Sequence, residues 1–451
     1  MAVFHAETAL LPQGWARDVL IESDAAGMIR RVETAAPPPP GALRLAVVVP
    51  GMPNLHSHAF QRAMAGRAER RGPGTDTFWT WREAMYALVA RITPATQRAI
   101  AAMVQAECLE RGYTHLCEFH YLHRRPDGSP WPEADAMAEG HIAAALEESG
   151  IGLTLLPSLY RYGGIFGRDP APGQRPFLLE LAEYLALLRR LERYRGSRIA
   201  LGVAPHSLRA VSPDMLAAVA QATDGPIHIH LAEQRREVEE CLAATGLTPG
   251  AWMLARGHAG PRWCFIHATH LTATEVEELA ASGAVAGLCP QTEASLGDGI
   301  FALPEWLAAG GRIGIGSDSQ VCLDPAAELR QLETSQRLKL EQRSIAGSRA
   351  DPHPGARLFR AALAGGAQAA GVPIGAIAAG KRCDLVELDP DHPDLIGLSG
   401  DALLDAWVFG PGRGQVRRVA VAGQLVVEGG RHLRAGRIAE AYRRALLQIW
   451  P

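Results

Sequence analysis

Short apolar segments alternate with amphipathic helical stretches through the middle of the chain, and this alternation restricts the possible folds more than any other feature. The helical stretches, such as TQRAIAAMVQAECLERG, carry apolar residues at three- and four-residue spacing. The eight predicted strands are residues 45–55, 114–120, 152–159, 198–205, 226–232, 263–268, 284–290 and 312–318. Eight strand–helix units over roughly 270 residues predict an α/β fold, a closed (β/α)8 barrel of the TIM type.

Both ends of the chain have a different, strand-rich character. Near the N-terminus, WARDVLIES and MIRRVET flank the turn DAAG, and the stiff segment PPPPG follows at residues 37–41. Near the C-terminus, CDLVELD and VRRVAVAGQLVVEGG have the composition of strands joined by glycine-containing turns. We therefore predict a small β-sandwich domain made from residues 1–48 and 376–451, with the barrel in residues 49–375.

The composition excludes several classes of partner. The chain of 451 residues has a formal net charge of −3 and a pI near 6.6, which argues against nucleic acid or an anionic membrane. The N-terminus lacks the basic region of a signal peptide, and no apolar stretch is long enough to span a bilayer. The seven cysteines are dispersed without a C-x-x-C pair, which is typical of reduced proteins, so we expect a cytoplasmic location.

Histidines and an aspartate are concentrated where the predicted strands end. The segment PNLHSHAFQ places His56 and His58 two residues apart, and side chains at that spacing share one face of a strand. A barrel collects the carboxyl ends of its strands at one mouth. His56 and His58 should therefore lie close to the residues that end the later strands. Those residues are His206, Arg209, His228, His230, Glu233, His267, His270 and Asp318. Imidazoles with one carboxylate suit zinc or a similar divalent ion, so we predict a metal site.

At these positions the chain resembles the amidohydrolase superfamily, in particular its deaminase branch with one metal ion. The ligands that this resemblance implies are His56, His58, His230 and Asp318. It also implies that a metal-bound hydroxide attacks the substrate, with Asp318 accepting a proton, His267 orienting the nucleophile and Glu233 carrying protons to the leaving nitrogen. Two-metal members bridge their ions with a carboxylated lysine. This chain has no lysine between His58 and His230, so we expect one divalent ion per chain, with zinc as the first candidate.

Three further residues near the strand ends have roles that the sequence leaves open. Glu118, close to the end of the second strand, could be a metal ligand or could support one by hydrogen bonding. His228 shares a strand face with His230 but lies one layer deeper, which favours a place in the core or behind the site. His270 has the position of a residue that begins a helix.

The remaining polar residues at the mouth are cationic or hydrogen-bonding, unlike the aromatic or apolar walls that a flat purine would need. These candidate substrate-binding residues are Gln61, Arg82, Tyr121, His206 and Arg209. Because a guanidinium binds a carboxylate through two parallel hydrogen bonds, Arg82 and Arg209 indicate a small dianionic substrate. The sequence does not decide whether Arg82 serves its own site or that of a neighbouring subunit.

Seven motifs in order make the resemblance more specific. They are PNLHSHAFQRAMAG, FWTWRE, CEFHYLHR, PHSLRAV, HIHLAEQ, CPQTEASLGDGIF and GIGSDSQ. Together they are similar to those of the formimidoylglutamate deiminases of histidine degradation. This similarity implies hydrolysis of N-formimidoyl-L-glutamate to N-formyl-L-glutamate and ammonia, with the two carboxylates held by the mouth residues. The loop at residues 290–300 shows no derivable chemistry, and we expect it to form a wall or lid of the site.

Two other functions compete with this interpretation. A deaminase of the same branch that acts on a guanine, adenosine or pterin-like ring would share the metal ligands and would differ in the compounds that it binds. A non-catalytic barrel used as an assembly scaffold would have lost metal ligands, whereas all four positions are filled here. We expect a homodimer on the resemblance alone, because the residues themselves do not report the oligomeric state.

Overall fold

The computed structural model describes residues 1–71, 74–411 and 414–451, and within these ranges the chain forms a barrel and a separate β-sheet. The strands are β1 (Val3–Leu11), β2 (Gly14–Ser23), β3 (Ile29–Glu33), β4 (Leu43–Pro50), β5 (Met52–Ser57), β6 (Tyr113–His120), β7 (Gly152–Leu159), β8 (Ile199–Leu201), β9 (Ala204–Pro205), β10 (Ile227–Leu231), β11 (Trp263–His267), β12 (Val285–Leu288), β13 (Arg312–Ile315), β14 (Leu385–Leu388), β15 (Val416–Val421), β16 (Gln424–Glu428) and β17 (Arg431–His432). The α-helices are α1 (Phe78–Val89), α2 (Pro94–Glu110), α3 (Ala136–Ala143), α4 (Leu181–Leu191), α5 (Pro213–Gln221), α6 (Arg235–Thr245), α7 (Pro249–Ala255), α8 (Ala273–Ala281), α9 (Pro290–Leu296), α10 (Leu303–Ala308), α11 (Pro325–Leu340), α12 (Pro354–Ala370), α13 (Asp401–Phe409) and α14 (Ala435–Ile449). In these ranges, no helix combines the length and the apolar character needed to cross a lipid bilayer.

The pairing of parallel strands confirms the predicted barrel. Strands β5, β6, β7 and β8 form one parallel run, with the short β9 beside β7, and β10 to β13 form a second run. The two runs meet on one side through a parallel bridge between Ser207 and His230. On the other side a bridge between Ser57 and Asp318 joins the first barrel strand to the last and closes the cylinder. The strands carry near-continuous apolar runs because the surrounding helices bury their outer face as well.

The first predicted strand, residues 45–55, is two strands that belong to different sheets. Strand β4 ends at Pro50 and pairs with β1 and β14, whereas β5 begins at Met52 and pairs with β6 in the barrel. Gly51 connects them, and a Cβ at this position would overlap the side chain of Thr114 on β6. Both strands are largely buried, so the apolar run continues across the change of sheet and hydrophobicity alone does not reveal it.

Strands from both termini share one eight-stranded sheet in the order β17-β16-β15-β14-β4-β1-β2-β3. The two ends of the chain meet where β14 runs antiparallel to β4, with Leu385 opposite Pro50. The predicted β domain built from both termini is therefore confirmed as a feature of the fold. The C-terminal part also contains α14, which the strand pattern did not predict. Its apolar face, including Ile438 and Ile449, is buried, and the helix packs on α2.

Helix α12 lies directly against the barrel because glycines replace side chains at the contact. A Cβ on Gly365 would overlap the carbonyl oxygen of Ile313 in β13, and one on Gly366 would crowd Pro53 in β5. We expect Gly365→Ala to lower the free energy of unfolding by about 1–3 kcal/mol, since the helix and strand backbones would have to separate.

Denaturant unfolding measures this loss, and Gly436→Ala provides a matched control. Gly436 is an exposed residue of α14, and a Cβ there would have no atom within 4 Å. The same chemical change should therefore be neutral or slightly stabilising at that position. An unfolding free energy of Gly365→Ala equal to that of the wild type would contradict the close contact.

Six cysteines are buried within the fold and form no disulfide, while Cys322 is partly exposed. The buried ones are Cys108, Cys117, Cys241, Cys264, Cys289 and Cys383. Burial raises the pKa of each of these six thiols, which keeps them in the unreactive protonated form.

Candidate active site

Closure of the barrel brings together the residues at its first and last strands. His56 lies in β5, His58 follows that strand immediately, and Asp318 lies just beyond β13. The amide of His58 donates to the carbonyl of Asp318 at 3.0 Å, and the amide of Asp318 donates to the carbonyl of His56 at 2.9 Å. These two backbone hydrogen bonds set the spacing of the three side chains.

Four predicted residues form a tight group at this mouth. The Nε2 atoms of His56 and His58 each lie 3.4 Å from Asp318 Oδ1. His230 in β10 offers a ligand atom within 4.8 Å of those of His56 and His58. Burial lowers the pKa of all three histidines, so the rings are neutral near pH 7, which is the form that binds a metal. Three imidazoles and one carboxylate are a donor set that suits zinc or a similar ion.

The hydrogen bonds of the histidine rings leave nitrogens free to bind a metal. His58 donates Nδ1–H to the carbonyl of Phe119, and His230 donates Nδ1–H to the carbonyl of His206, each at 2.9 Å. Their Nε2 atoms are therefore unprotonated in the neutral ring. His56 is fully buried, yet neither of its ring nitrogens has a hydrogen-bond partner among the described residues. A buried imidazole without partners is costly unless a ligand satisfies it, so this residue fits a metal site.

Glu118 supports the segment that carries His56 and His58 and does not join the metal-ligand group. Its carboxylate accepts from Ser57 Oγ–H at 2.6 Å and from the amide of Ala59 at 2.9 Å. Ser57 and Ala59 flank His58, so these bonds hold the backbone on both sides of it. Burial raises the pKa of Glu118 to about 8. Of the two roles left open by the sequence, the contacts favour hydrogen-bonding support.

Glu233 and His267 lie beside the same group, at the ends of β10 and β11. His267 Nε2 is 3.8 Å from Glu233 Oε1 and 3.8 Å from Asp318 Oδ2. Burial lowers the pKa of His267, but Glu233, Glu293 and Asp318 together outweigh that effect and raise it to about 10. Burial raises the pKa of Glu233. A divalent ion bound nearby would lower both values, because its charge favours a neutral imidazole and an ionised carboxylate.

The backbone is strained where the strands pass into the loops of the mouth. His267 and Asp318 have φ angles of 68° and 41°, and Ala232 and Gln320 have φ angles of 49° and 65°. Residues other than glycine rarely adopt this left-handed region, and such outliers are concentrated at functional sites. Each of these four is a predicted site residue or lies within two positions of one, so sharp turns orient the side chains of the mouth.

One cavity collects the predicted reaction and binding residues. Its polar walls are formed by His58, Gln61, Arg82, Tyr121, His206, Arg209, His230, Glu233, His267 and Asp318. Its aromatic walls are formed by Phe78, Trp81, Tyr86, Tyr121, Tyr160 and Phe177. The expectation of a mouth without aromatic walls is therefore wrong. Helix α1 and loops from distant parts of the chain deliver these rings, and their convergence depends on the folded barrel.

The two arginines of the cavity have different surroundings. Arg209 Nη2 lies 3.4 Å from Glu233 Oε2, so Arg209 also contacts the predicted catalytic carboxylate. Arg82 lies over the rings of Trp79 and Tyr86, 4.8 Å and 5.5 Å from their centroids. Its Nε is buried without a hydrogen-bond partner, and no carboxylate of the described residues pairs with it. Arg82 lines the cavity of its own chain, which favours a role there over a role in a neighbouring subunit.

Two histidines from the strand ends lie outside the cavity. His228 donates Nε2–H to the carbonyl of Ala369 at 2.8 Å, in the buried interior between β10 and α12. This contact agrees with the predicted place in the core or behind the site. His270 is partly exposed and lies three residues before α8, close to the predicted helix start.

Three buried carboxylates near the site were not predicted from the sequence. Glu293 in α9 accepts the Nδ1–H of His267 at 3.2 Å. Glu237 in α6 lies 3.6 Å from Arg209 Nε, and Asp298 accepts a side-chain amide hydrogen bond from the loop after β10. Glu293 and Asp298 belong to the segment CPQTEASLGDG, and two acidic residues within it were the only signal in the sequence.

Models of two protein families match this chain. The amidohydrolase family matches residues 47–426, and the N-terminal domain of the formimidoylglutamate deiminase HutF matches residues 1–44. A formimidoylglutamate deiminase from Pseudomonas aeruginosa is 48% identical to this chain over 453 aligned positions, which cover 100% of both proteins.

Solved structures show the same relationship. An amidohydrolase from Brucella melitensis superposes with a TM-score of 0.94 at 44% identity, covering 100% of both chains. An atrazine chlorohydrolase from Arthrobacter aurescens TC1 complexed with zinc superposes with a TM-score of 0.84 at 21% identity, over 99% of this chain and 100% of that one, which shows a shared fold. Because the family match covers most of the chain and the identity extends over its full length, this chain belongs to the amidohydrolase family and, within it, to the formimidoylglutamate deiminases.

Proposed function

We propose that this chain hydrolyses N-formimidoyl-L-glutamate to N-formyl-L-glutamate and ammonia. The observation that carries this proposal is one cavity lined by three of the four predicted metal ligands, His58, His230 and Asp318, and by two arginines. The formimidoyl carbon is the electrophile, and the two carboxylates of the glutamyl part are the anions that arginine binds well. The family assignment supports the same reaction.

One divalent ion, with zinc as the first candidate, would be held by His56, His58, His230 and Asp318. The donor set and the unpartnered nitrogens of His56 support these ligands. When bound, such an ion makes water acidic enough to act as a nucleophile near pH 7. No lysine lies between His58 and His230 to form a carboxylated bridge to a second ion, which supports one ion per chain.

The chain's own groups can move the protons that the reaction requires. Asp318 Oδ2 lies beside the cavity, 3.8 Å from His267 Nε2, where it can accept a proton from the attacking water. Glu233 is buried beside the reacting groups, 3.8 Å from His267 Nε2, where its carboxyl can take up a proton and donate it to the departing nitrogen. His267 lies near both carboxylates and can orient the attacking water and stabilise charge on the oxygen bound to the tetrahedral carbon.

The reaction replaces the terminal nitrogen of the formimidoyl group with the oxygen of water. Water gives its oxygen to the formimidoyl carbon, and the bond from that carbon to the terminal nitrogen breaks. The terminal nitrogen gains both protons of the water and leaves as ammonia. Asp318 accepts protons from the water, and Glu233 donates protons to the nitrogen. The second carbon–nitrogen bond stays intact and becomes the formamide of the product.

The arginine end of the cavity would bind the glutamyl carboxylates. An incoming carboxylate would complete the hydrogen bonding of Arg82, which has no ion-pair partner within the described ranges. Gln61 donates to the hydroxyl oxygen of Tyr121 at 2.9 Å, and its own Oε1 is buried without a donor. That free acceptor can take an N–H of the substrate, while His206 and Arg209 line the remaining polar wall.

A deaminase of a flat heteroaromatic ring is the second candidate, and the aromatic walls of the cavity favour it. Side chains such as Phe78, Trp81 and Tyr160 could stack on a base. Such a substrate would leave Arg82 without an anion, and a partly buried guanidinium without hydrogen-bond partners is costly. The two arginines therefore favour a dianionic substrate over a flat heteroaromatic ring.

Ammonia release from a small set of compounds tests the proposal. The purified chain should release ammonia from N-formimidoyl-L-glutamate and far less from N-formimidoylglycine, which lacks the second carboxylate. Adenosine and guanine should not be deaminated. Ammonia release from a purine, without release from formimidoylglutamate, would overturn the substrate assignment in favour of the second candidate.

Arg82→Met is expected to raise KM for formimidoylglutamate by roughly 10- to 100-fold. A hydrogen bond to a charged group contributes about 1.5–3 kcal/mol, and methionine keeps much of the stem while removing the charge. Because Arg82 contacts no predicted proton-transfer group, kcat should change much less. Arg209→Met should affect both constants, since Arg209 also contacts Glu233.

Steady-state kinetics measure this difference, with Arg195→Met as the matched control. Arg195 is exposed and pairs with Glu192 on the outer surface, so the same substitution there should leave both constants unchanged. An unchanged KM in Arg82→Met would place the carboxylate-binding groups elsewhere.

A further inference from the structure

Helix α9, which follows β12, places a buried carboxylate against Nδ1 of His267. Glu293 is 5% exposed, and its Oε1 accepts two hydrogen bonds. One comes from His267 Nδ1–H at 3.2 Å and the other from the amide of Cys289 at 2.8 Å. The backbone bond anchors the carboxylate to the end of β12, so its oxygen has a fixed place relative to the barrel.

The opposite edge of the same ring faces the reacting groups. His267 Nε2 lies 3.8 Å from both Glu233 Oε1 and Asp318 Oδ2. The ring is 1% exposed, and its residue has a strained φ of 68°. The hydrogen bond at Nδ1 sets which nitrogen of the neutral ring carries the proton, and that nitrogen contacts Glu293.

We propose that Glu293 is a positioning residue, which holds the Nδ1–H of His267 so that Nε2 faces the substrate between Glu233 and Asp318. This inference rests on the proposed function, because it assigns His267 a part in that reaction. A carboxylate behind an imidazole fixes the tautomer and the orientation of the ring and stabilises positive charge on it. The acidic segment CPQTEASLGDG, for which the sequence predicts a wall or lid, thereby acquires a role behind the site.

A second metal site is the alternative use of these residues. Ligand atoms of His267, Cys289 and Glu293 lie within 4.8 Å of one another. The contacts of Glu293 favour the positioning role instead. Its Oε1 is already occupied by two N–H donors, Nδ1–H of His267 and the amide of Cys289.

Two variants of Glu293 and one control test this role. Glu293→Ala removes the acceptor, and Glu293→Gln keeps an amide oxygen but removes the charge. Glu328→Gln is the control, because Glu328 is buried in the neighbouring α11 and accepts from the amide of Gln291 at 2.9 Å without touching His267. We expect Glu293→Ala to lower kcat by about 10- to 100-fold, with Glu293→Gln intermediate and Glu328→Gln close to wild type. KM and metal content should stay at wild-type values in all three.

Proton NMR gives a readout that does not depend on turnover. The wild type should show an exchange-protected imidazole N–H resonance that His267→Asn abolishes, which assigns it to Nδ1–H of His267. This resonance should survive in Glu328→Gln and disappear in Glu293→Ala. Its persistence in Glu293→Ala, or a kcat of both Glu293 variants within twofold of wild type, would overturn the positioning role. Loss of a second metal ion from the Glu293 variants would also overturn it in favour of a metal site. If the wild type fails to hydrolyse formimidoylglutamate, the proposed function fails, while the resonance still decides whether Glu293 holds His267.

Discussion

Glu233→Gln is expected to lower kcat by about 10²- to 10⁴-fold while bound metal stays at the wild-type level. Glutamine keeps the size of the side chain and can still accept from Arg209. It cannot carry a proton from the attacking water to the nitrogen that leaves as ammonia. Glu233 contacts His267 and Arg209 and lies outside the four-residue metal group, so the ligands should be undisturbed.

Steady-state ammonia release and metal analysis of the same sample measure this effect. Glu239→Gln is the matched control, since Glu239 is an exposed residue of the adjoining α6 and undergoes the same chemical change. A kcat of Glu233→Gln within a few-fold of wild type would mean that Glu233 only orients the loop after β10. Loss of metal would instead make Glu233 a ligand, and either result would require a different path for the proton.

His230→Ala is expected to abolish metal binding and activity together. The substitution leaves two imidazoles and one carboxylate, and it removes the ring whose Nδ1–H bond to the carbonyl of His206 holds its Nε2 free for the ion. The wild type should carry about one divalent ion per chain. Chelation should remove its activity, and added zinc should restore it, because the ion supplies the acidified water.

Metal analysis of purified variants checks this ligand set, and His228→Asn is an informative control. His228 lies on the same strand two residues earlier, but it bonds the carbonyl of Ala369 in the interior. This variant should lose some stability and keep its ion. Two tightly held ions per wild-type chain, or a full complement of metal in His230→Ala, would contradict the ligand assignment.

Local sequence patterns predicted the architecture, and the structure brings most of the predicted site residues together in one cavity. The 3.6-residue period of the helices and the short apolar strands between them are local properties of the chain, and they led to the barrel directly. The H-x-H spacing of His56 and His58 likewise depends only on the period of a strand. A barrel then collects strand ends at one mouth, so His230, His267 and Asp318 could be assigned there without knowing any contact.

These local sequence patterns did not predict the change of sheet at Gly51. Strands β4 and β5 are one apolar run in sequence, and only their pairing partners distinguish them. The same holds for Glu118, whose two possible roles have the same sequence signature. Its contacts with Ser57 and Ala59, 61 and 59 residues away, favour the supporting role.

The surroundings of the reacting groups also came only from the tertiary structure. The aromatic walls of the cavity, the bond from His267 to Glu293 and the ion pair from Arg209 to Glu233 join residues on different strands, helices and loops. Periodicity states which side of its own element a residue occupies, and it contains no information about which other element lies opposite. The sequence by itself therefore determined the barrel and the histidines and aspartate that end its strands. The distances and hydrogen bonds among those residues were decided by barrel closure, which brings Asp318 within hydrogen-bonding distance of His56 and His58.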